Sequence, residues 1–453
     1  MRVTSFSAAA AICGAIFLAS PAAQAGQTNV DQPQTASTTR TSLSLADALQ
    51  LALANNLSYQ ASAQDVSAAQ ARVIQAGAGR VPKLSADYSF VHTQNPAFFN
   101  FQAPGPGGKL VTKPIFFSAT NLNNVDATLQ YALYSGGAVQ AAIGQAAAGL
   151  SAAQSDYAAQ RATVIRDVTN AYFQLIEAQR GTAIADQTVA VAKENLKTAN
   201  DGLSAGTLAK ADVLRQQVAL TNAQVRDIQA GAAASLANAA LANLLNVNLG
   251  SQIDPTEELA AATPSFALSD VLADATGHRY ELGAARAAVD IAAAAVKAAR
   301  SGALPFITVQ VADASSKPNF ENVPQPQLSE TLAVTWKLFD GGLTHGKVAE
   351  ANADVEKAKI NLKQLSNGID LEVRQAYFNY TAAQAQVGAN KAGQDAADES
   401  LRVSQIRFKS GVGTSLELAD ALLDDAQART DYVNAQANLR IALTALQRAA
   451  GLL

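Results

Sequence analysis

The sequence is poor in the residues that hold most compact folds together. Its 453 residues include a single cysteine, Cys13, and only 6% aromatic and 15% charged side chains. One cysteine excludes a disulfide scaffold and any cysteine metal site. No stretch of 18 consecutive apolar residues occurs, so no transmembrane helix is expected. The formal charge of −4 comes with scattered Lys and Arg, so no basic nucleic-acid footprint forms and no nucleic-acid partner is expected. With 28 glycines and 49% hydrophobic residues, collagen-like and disordered chains are excluded as well. Enzymatic patterns are missing too. G-x-S-x-G, P-loop and G-x-G-x-x-G motifs do not occur, and His92, His278 and His345 are far apart without partners at metal-ligand spacing. No catalytic residue, cofactor or metal is therefore expected.

What the chain has instead is alanine, 100 residues of it. Alanine is the best helix former and the smallest residue that favours helix, which points to long helices in close contact. The N-terminus carries Arg2, an apolar run from Ala8 to Leu18, Pro21 and then Ala23-Gln24-Ala25. That order reads as a signal peptide over residues 1–25. Cys13 lies inside it behind Ala11 and Ile12, a poor lipoprotein site, so no lipid anchor is expected. A polar segment, 26–43, follows.

The rest is one unit written twice. At an offset of 223, Leu45, Asp47 and Pro82 fall on Leu268, Asp270 and Pro305. At an offset of 205, Gly136-Gly137 falls on Gly341-Gly342, Ala171-Tyr172-Phe173 on Ala376-Tyr377-Phe378, and Gly206 on Gly411. The offsets differ by 18 residues, inserted in the first copy where Pro96 to Pro114 reads as a long loop. The copies span 44–250 and 268–453, with a linker at 251–267.

Each copy begins with a helix, the first from Ser44 to about Gly79, ended by Pro82 or Pro305. Two alternating strands follow, at about 84–93 and 126–134, then 306–313 and 329–339. Ala127, Leu129, Tyr131 and Leu133 share one face against Asp126, Thr128 and Gln130; Leu332, Val334, Trp336 and Leu338 oppose Thr331, Thr335 and Lys337. A long helical hairpin ends each copy, at 138–246 and 343–450. Ile165, Val168, Tyr172 and Leu175 form a coiled-coil seam on its first helix, and Leu214, Val218, Thr221, Val225 and Ile228 a stripe on the second. Strands of this length suit a bilayer, but four cannot close a barrel, so several chains must contribute. Tyr131 and Trp336 would suit an aromatic girdle.

This order, with proline before the strands and Gly-Gly after them, resembles the TolC-like outer-membrane efflux proteins from Leu43 to Leu453. The tip Arg407-Phe408-Lys409-Ser410-Gly411-Val412-Gly413-Thr414 is similar to the family's turn, with Gly206 to Val213 as its partner. The resemblance implies a mainly α protein with a membrane β-barrel part: a homotrimer forming a 12-stranded β-barrel in outer-membrane lipid, continued by a 12-helix periplasmic α-barrel. It also implies a periplasmic adaptor and an inner-membrane pump as partners, docking at the tips around Gly206, Thr207, Gly411, Val412 and Gly413. Glu417 and Asp420 match acidic positions lining the family's periplasmic entrance, where a ring of carboxylates would attract cations. Asp212 is the corresponding acid of the first copy and is expected in the contacts that hold the entrance shut. The family's tyrosine and arginine in the second tip are Phe408 and Gly413 here, so the closing role falls to Arg407, Lys409 or Arg215, and the sequence does not choose among them. Asp424-Asp425 reads as a solvated pair. The expected function is a passive exit duct of a tripartite efflux pump. The same duct could serve type I protein secretion, and a periplasmic coiled-coil protein without a pore remains a separate reading.

Overall fold

The computed structural model describes residues 40–94, 98–116, 121–259, 264–318 and 327–453. Residues 1–25, read as a signal peptide, most of the polar segment and Pro96 lie outside them.

The order is β1 (Arg40–Leu43), α1 (Leu45–Asn55), α2 (Leu57–Gly77), β2 (Lys83–His92), β3 (Phe98–Pro104), β4 (Leu110–Phe116), β5 (Asn121–Tyr134), α3 (Ala138–Ser204) and α4 (Lys210–Leu244). The second copy continues with β6 (Gln252–Pro255), α5 (Leu268–His278), α6 (Tyr280–Ser301), β7 (Phe306–Pro318), β8 (Gln327–Thr335), α7 (Leu343–Lys409) and α8 (Ser415–Ala450). α3 and α7 each run for 67 residues, about 100 Å at 1.5 Å per residue. Both start from a glycine in the left-handed region, Gly137 at φ +87° and Gly342 at φ +90°, conformations a side chain would strain. No described helix is long and apolar enough to cross a membrane.

β2, β5, β7 and β8 form one antiparallel sheet in that order. Its faces differ in chemistry. Leu84, Tyr88, Val125, Leu129, Tyr131, Val309, Val311, Leu332 and Val334 lie on one, interrupted by Asp313 and Glu330; Ser85, Asp87, Asn124, Asp126, Thr128, Gln130, Gln310 and Thr331 lie on the other. The apolar face is largely exposed in the single chain. Both outer edges, β2 and β8, lack a partner strand among the described residues.

Alanine makes up close to half of the buried apolar positions. The seam residues Ile165, Val168, Tyr172 and Leu175 are all buried, and the last three join Leu241, Leu245 and Ile253 in one core cluster. A second cluster, with Leu401, Phe408, Leu418, Leu422, Val189 and Leu220, binds the two hairpins near their tips. A third surrounds Val271, Leu282, Val373, Tyr380 and Leu446.

Three expectations need correction. The first helix of each copy is two: α1 and α2 break at Asn56, α5 and α6 at Arg279, both with extended backbone. Proline-free sequence did not show these breaks, to which tertiary bonds contribute. Asn56 donates from Nδ2 to the Leu244 carbonyl at 3.1 Å, and the Arg279 Nη1 donates to the Arg448 and Ala449 carbonyls at 3.3 and 3.2 Å. Second, the insertion read as a loop contains the β3–β4 hairpin, closed by Pro106–Gly108 with Gly107 and Gly108 at positive φ. Third, the polar segment and the linker meet as a parallel pair, β1 with β6. The Tyr172 hydroxyl holds them, donating to the Leu43 carbonyl at 2.8 Å and accepting from the Thr256 amide at 3.0 Å. The stripe Leu214, Val218, Val225 and Ile228 is exposed in the single chain.

Candidate functional site

The hairpin tips are built by repeated turns. Gly206 and Gly411 sit at φ +73° and +74°, where each ends its long helix in a left-handed cap. The Gly206 amide donates to the Leu203 carbonyl at 3.0 Å, and the Gly411 amide to the Phe408 carbonyl at 3.1 Å. Thr207 adds a side-chain bond from its hydroxyl to the Gly202 carbonyl at 3.0 Å. Val412 stands exposed at the second tip. Gly413 is required by space: a Cβ there would lie 2.9 Å from the Arg407 Cβ and 3.0 Å from the Phe408 nitrogen. Phe408 is buried in the inter-hairpin cluster, so its ring anchors the tip where the family's tyrosine would offer a hydroxyl.

Glu417 starts α8 in a capping box. Its amide donates to the Thr414 Oγ1 at 3.1 Å, and its Oε2 accepts from the Thr414 amide at 3.3 Å. An Arg407 nitrogen stands 3.8 Å away. Asp420 lies one turn further along the same helix, exposed, so the two carboxylates share a face. Glu417 thus has a local structural role that its place in the T-x-x-E pattern announces.

Asp212 joins the two copies. The Ser415 Oγ donates to the Asp212 Oδ1 at 2.6 Å and accepts from the Arg215 Nη1 at 2.9 Å. Beside them the Gln216 Nε2 donates to the Ser415 carbonyl at 2.8 Å. Ser415 is 1% exposed and Gln216 is fully buried. The Ser415 hydrogen bond, with the Ala209 amide and Arg215, outweighs a small burial effect and holds the Asp212 carboxyl below its ordinary value. Of the three cations offered by the sequence, Arg215 reaches across the copies. Arg407 pairs within its own copy. Ser415 was not singled out from sequence, although it follows the cap residue directly.

A second acid was misread. Asp425 is 5% exposed, not solvated. Burial, with a hydrogen bond to Asp398, pushes its carboxyl up to about 6 despite the Arg429 guanidinium beside it. Arg429 bridges Asp425 at 3.0 Å and Asp398 at 2.7 Å, and donates to the Gln187 Oε1 of α3 at 3.2 Å.

At the sheet, Tyr131 pairs with Val309 near the helical end. Trp336 lies one residue beyond β8, its Nε1 donating to the Ala303 carbonyl at 3.1 Å. Tyr134, Phe306 and Phe339 are exposed in the same part of the chain and were missed because they stand at strand ends, outside the alternating pattern.

A sheet apolar on one side and polar on the other, attached to helices of about 100 Å, belongs to the class of outer-membrane export channels with a helical duct. The chain matches the family described as outer membrane efflux protein over residues 48–247 and 271–452, and it belongs to that family. It is 29% identical to protein CyaE of Bordetella pertussis over 343 residues, 73% of this chain and 71% of that protein. It is 23% identical to outer membrane efflux protein BepC of Brucella suis over 466 residues, covering 100% and 92%. Among solved structures, outer membrane protein VceC of Vibrio cholerae superposes with a TM-score of 0.74 at 19% identity, over 90% of this chain and 96% of that one. The family and fold are those of channel proteins, not enzymes, and they set aside the periplasmic coiled coil without a pore.

Proposed function

We propose that three copies of this chain assemble into an outer-membrane exit duct, twelve strands closing a barrel above twelve helices. The observation that carries this is the four-stranded sheet with two free edges and an exposed apolar face. In lipid every backbone group must be paired, so such edges must close on neighbours. The exposed stripe Leu214, Val218, Val225 and Ile228 on α4 supplies a helical contact between the same neighbours. Tyr131 and Trp336 lie toward the helical end of the barrel, where a girdle meets the inner rim of the membrane. Energy comes from an inner-membrane pump that also selects the cargo, whether a small molecule or a secreted protein. A periplasmic adaptor docks on the tips formed by Gly206, Thr207, Gly411, Val412 and Gly413.

Glu417 and Asp420 line the periplasmic entrance, and six such carboxylates around a three-fold axis favour cations. The network Asp212–Ser415–Arg215 holds the two hairpins of each chain together at that entrance, in place of the contacts that Phe408 and Gly413 cannot make. Single-channel recording tests this. Glu417→Gln with Asp420→Asn removes the charge while glutamine keeps the capping box, and cation preference should fall. Unchanged ion selectivity would remove the gate assignment. A chain recovered as a soluble monomer, without heat-modifiable migration, would remove the duct itself.

A further inference from the structure

Between Asp87 and Asp126 the chain has no acidic residue, and its only lysines or arginines are Lys109 and Lys113. The middle of this segment is the β3–β4 hairpin, which forms its own sheet. Phe99 lies opposite Ile115, Phe101 opposite Lys113 and Ala103 opposite Val111. Opposed residues and alternate residues along a strand share a face. One face therefore carries Phe99, Phe101, Val111, Ile115 and Lys113, while the other has Asn100, Gln102 and Thr112 in its middle and Phe98, Pro104, Leu110 and Pro114 around them. Phe101 is 50% exposed, and Val111 and Ile115 are each 42% exposed. Lys109 and Lys113 are exposed too, with no carboxylate in the hairpin to pair with them.

The hairpin's position follows from its tethers. β2 ends at His92, paired with Asn121 at the start of β5, on the end of the sheet away from the long helices. Phe98 and Phe116 are six and five residues from that pair, a reach of at most about 20 Å. If the helices occupy the periplasm, this end faces outward.

We propose that the face bearing Phe99, Phe101, Val111 and Ile115 rests on the outer leaflet around the pore, with Lys109 and Lys113 on the phosphates of anionic lipid headgroups. The inference rests on the reading of the sheet as part of a membrane barrel. An apolar face with basic side chains is the composition that settles at a lipid–water boundary, and a lysine stem lies along apolar surface while its ammonium reaches phosphate. Charge selects lipid over a second copy of the hairpin. Three hairpins gathered on the pore axis would bring six ammonium groups together without one acid, whereas an anionic leaflet attracts each of them. Splayed sideways, the hairpins leave the pore mouth clear.

Fluorescence of the full-length trimer in nanodiscs tests the placement, because Trp336 is the chain's one tryptophan. In a Trp336→Phe background, Phe101→Trp puts the sole indole on the hairpin. Brominated phosphatidylglycerol should quench it strongly. Lys109→Gln with Lys113→Gln should cut the hairpin's partition roughly thirty-fold, about five-fold per lysine, and lower the quenching toward that seen in brominated phosphatidylcholine. An unquenched indole at position 101, with Trp336 of the native protein quenched in the same discs, would overturn the hairpin proposal and leave the barrel standing. Failure to quench either would sink the barrel reading. Quenching indifferent to headgroup and lysines would overturn the phosphate contact, and Phe101→Cys chains that cross-link within the trimer would place the hairpins on the axis instead.

Discussion

Ser415→Ala is the sharpest probe of the entrance. The hydroxyl accepts from Arg215 and donates to Asp212, and alanine would fill the same buried space without either bond. Hydrogen bonds to charged groups contribute about 1.5–3 kcal/mol each when buried. The side chains of Asp212 and Arg215 are 27% and 46% exposed, so water compensates in part, and about 1 kcal/mol for each bond is the fitting scale. Together the two losses come to about 2 kcal/mol, roughly a thirty-fold shift from closed toward open. The Gln216 bond to the Ser415 carbonyl stays, because it uses the backbone. Open probability in planar bilayers reads the shift directly. Asp212→Asn combined with Ser415→Ala should open the channel little further than either alone, since partners in one network are not additive. Unchanged gating in an intact trimer, or strictly additive effects, would refute the latch. The pH response has a definite sign. The folded Asp212 titrates below its ordinary value, so its contribution is present above the ordinary carboxylate range and is lost as pH falls through the lowered value. Acid opening should therefore begin only below that ordinary range.

Three further outcomes are expected. Arg279→Met removes the partner of Glu372, bound at 2.8 Å and half exposed, and uncaps the Arg448 and Ala449 carbonyls, while Glu281 keeps Arg448; the loss should be about 2–3 kcal/mol by thermal unfolding of the whole protein, against about 1 kcal/mol for Asn56→Ala, and equal losses would contradict the account. Asp425, raised from 3.8 to about 6 by burial first, gives stabilisation that is complete at low pH and lost as pH rises through about 6. Hydrogen exchange in α7 and α8 should thus speed up between pH 5 and pH 7 in the native chain, and Asp425→Asn should flatten that response; an unaltered pH response would exclude Asp425 as its source. Gly413→Ala must displace Arg407 or Phe408, and a cost of about 1–3 kcal/mol should appear as weaker amide protection at the tip, whereas full protection would show that the turn yields freely.

How much the sequence revealed depended on whether the cause was local. The long hairpins were legible, starting at Ala138 and running from Leu343 to Ala450, because alanine content, a 3–4 seam and flanking glycines all act along the chain. The strand faces were legible for the same reason, save that β8 ends at Thr335, so Trp336, Lys337 and Leu338, read as strand, lie beyond it. The break at Asn56 was overlooked, although asparagine is a favoured cap and its Oδ1 accepts from the Tyr59 amide; the far Leu244 carbonyl, which its Nδ2 reaches, adds to that local signal. Asp425 looked solvated because sequence shows its acidic neighbour Asp424 and not Asp398, which meets it from α7. Phe408 and Gly413 are read from the sequence as departures from the family's tip. What replaced them, Ser415 with Arg215, needed the two tips side by side. Even the repeat misled once. Tyr172 falls on Tyr377 by register, but the tyrosine fully buried in the second copy is Tyr380, whose hydroxyl donates to the Pro264 carbonyl.

The two registers meet at one joint, and that joint shows what duplication has kept. The offset of 223 carries Asn56 onto Arg279, and the offset of 205 carries Asn246 onto Gly451. Each pair performs one task. Asn56 and Arg279 break a helix and cap the carbonyl end of the returning hairpin. Asn246 at φ +52° and Gly451 at φ +76° turn the chain just past that end. The chemistry differs entirely: an amide and a neutral contact to the Asn55 carbonyl at 3.2 Å in the first copy, a guanidinium with two carboxylates in the second. At Gly451 a Cβ would lie 2.9 Å from the His278 carbonyl carbon, so a residue like Asn246 cannot replace it without moving the joint. The backbone path is thus the constrained feature, and the side chains are two solutions to satisfying it. Exchanging Asn56 and Arg279 should then fail in both copies: arginine at 56 would lack its carboxylates, and asparagine at 279 would leave Glu372 without its cation and Glu281 with Arg448 alone. The two halves are equivalent in geometry and no longer interchangeable in sequence.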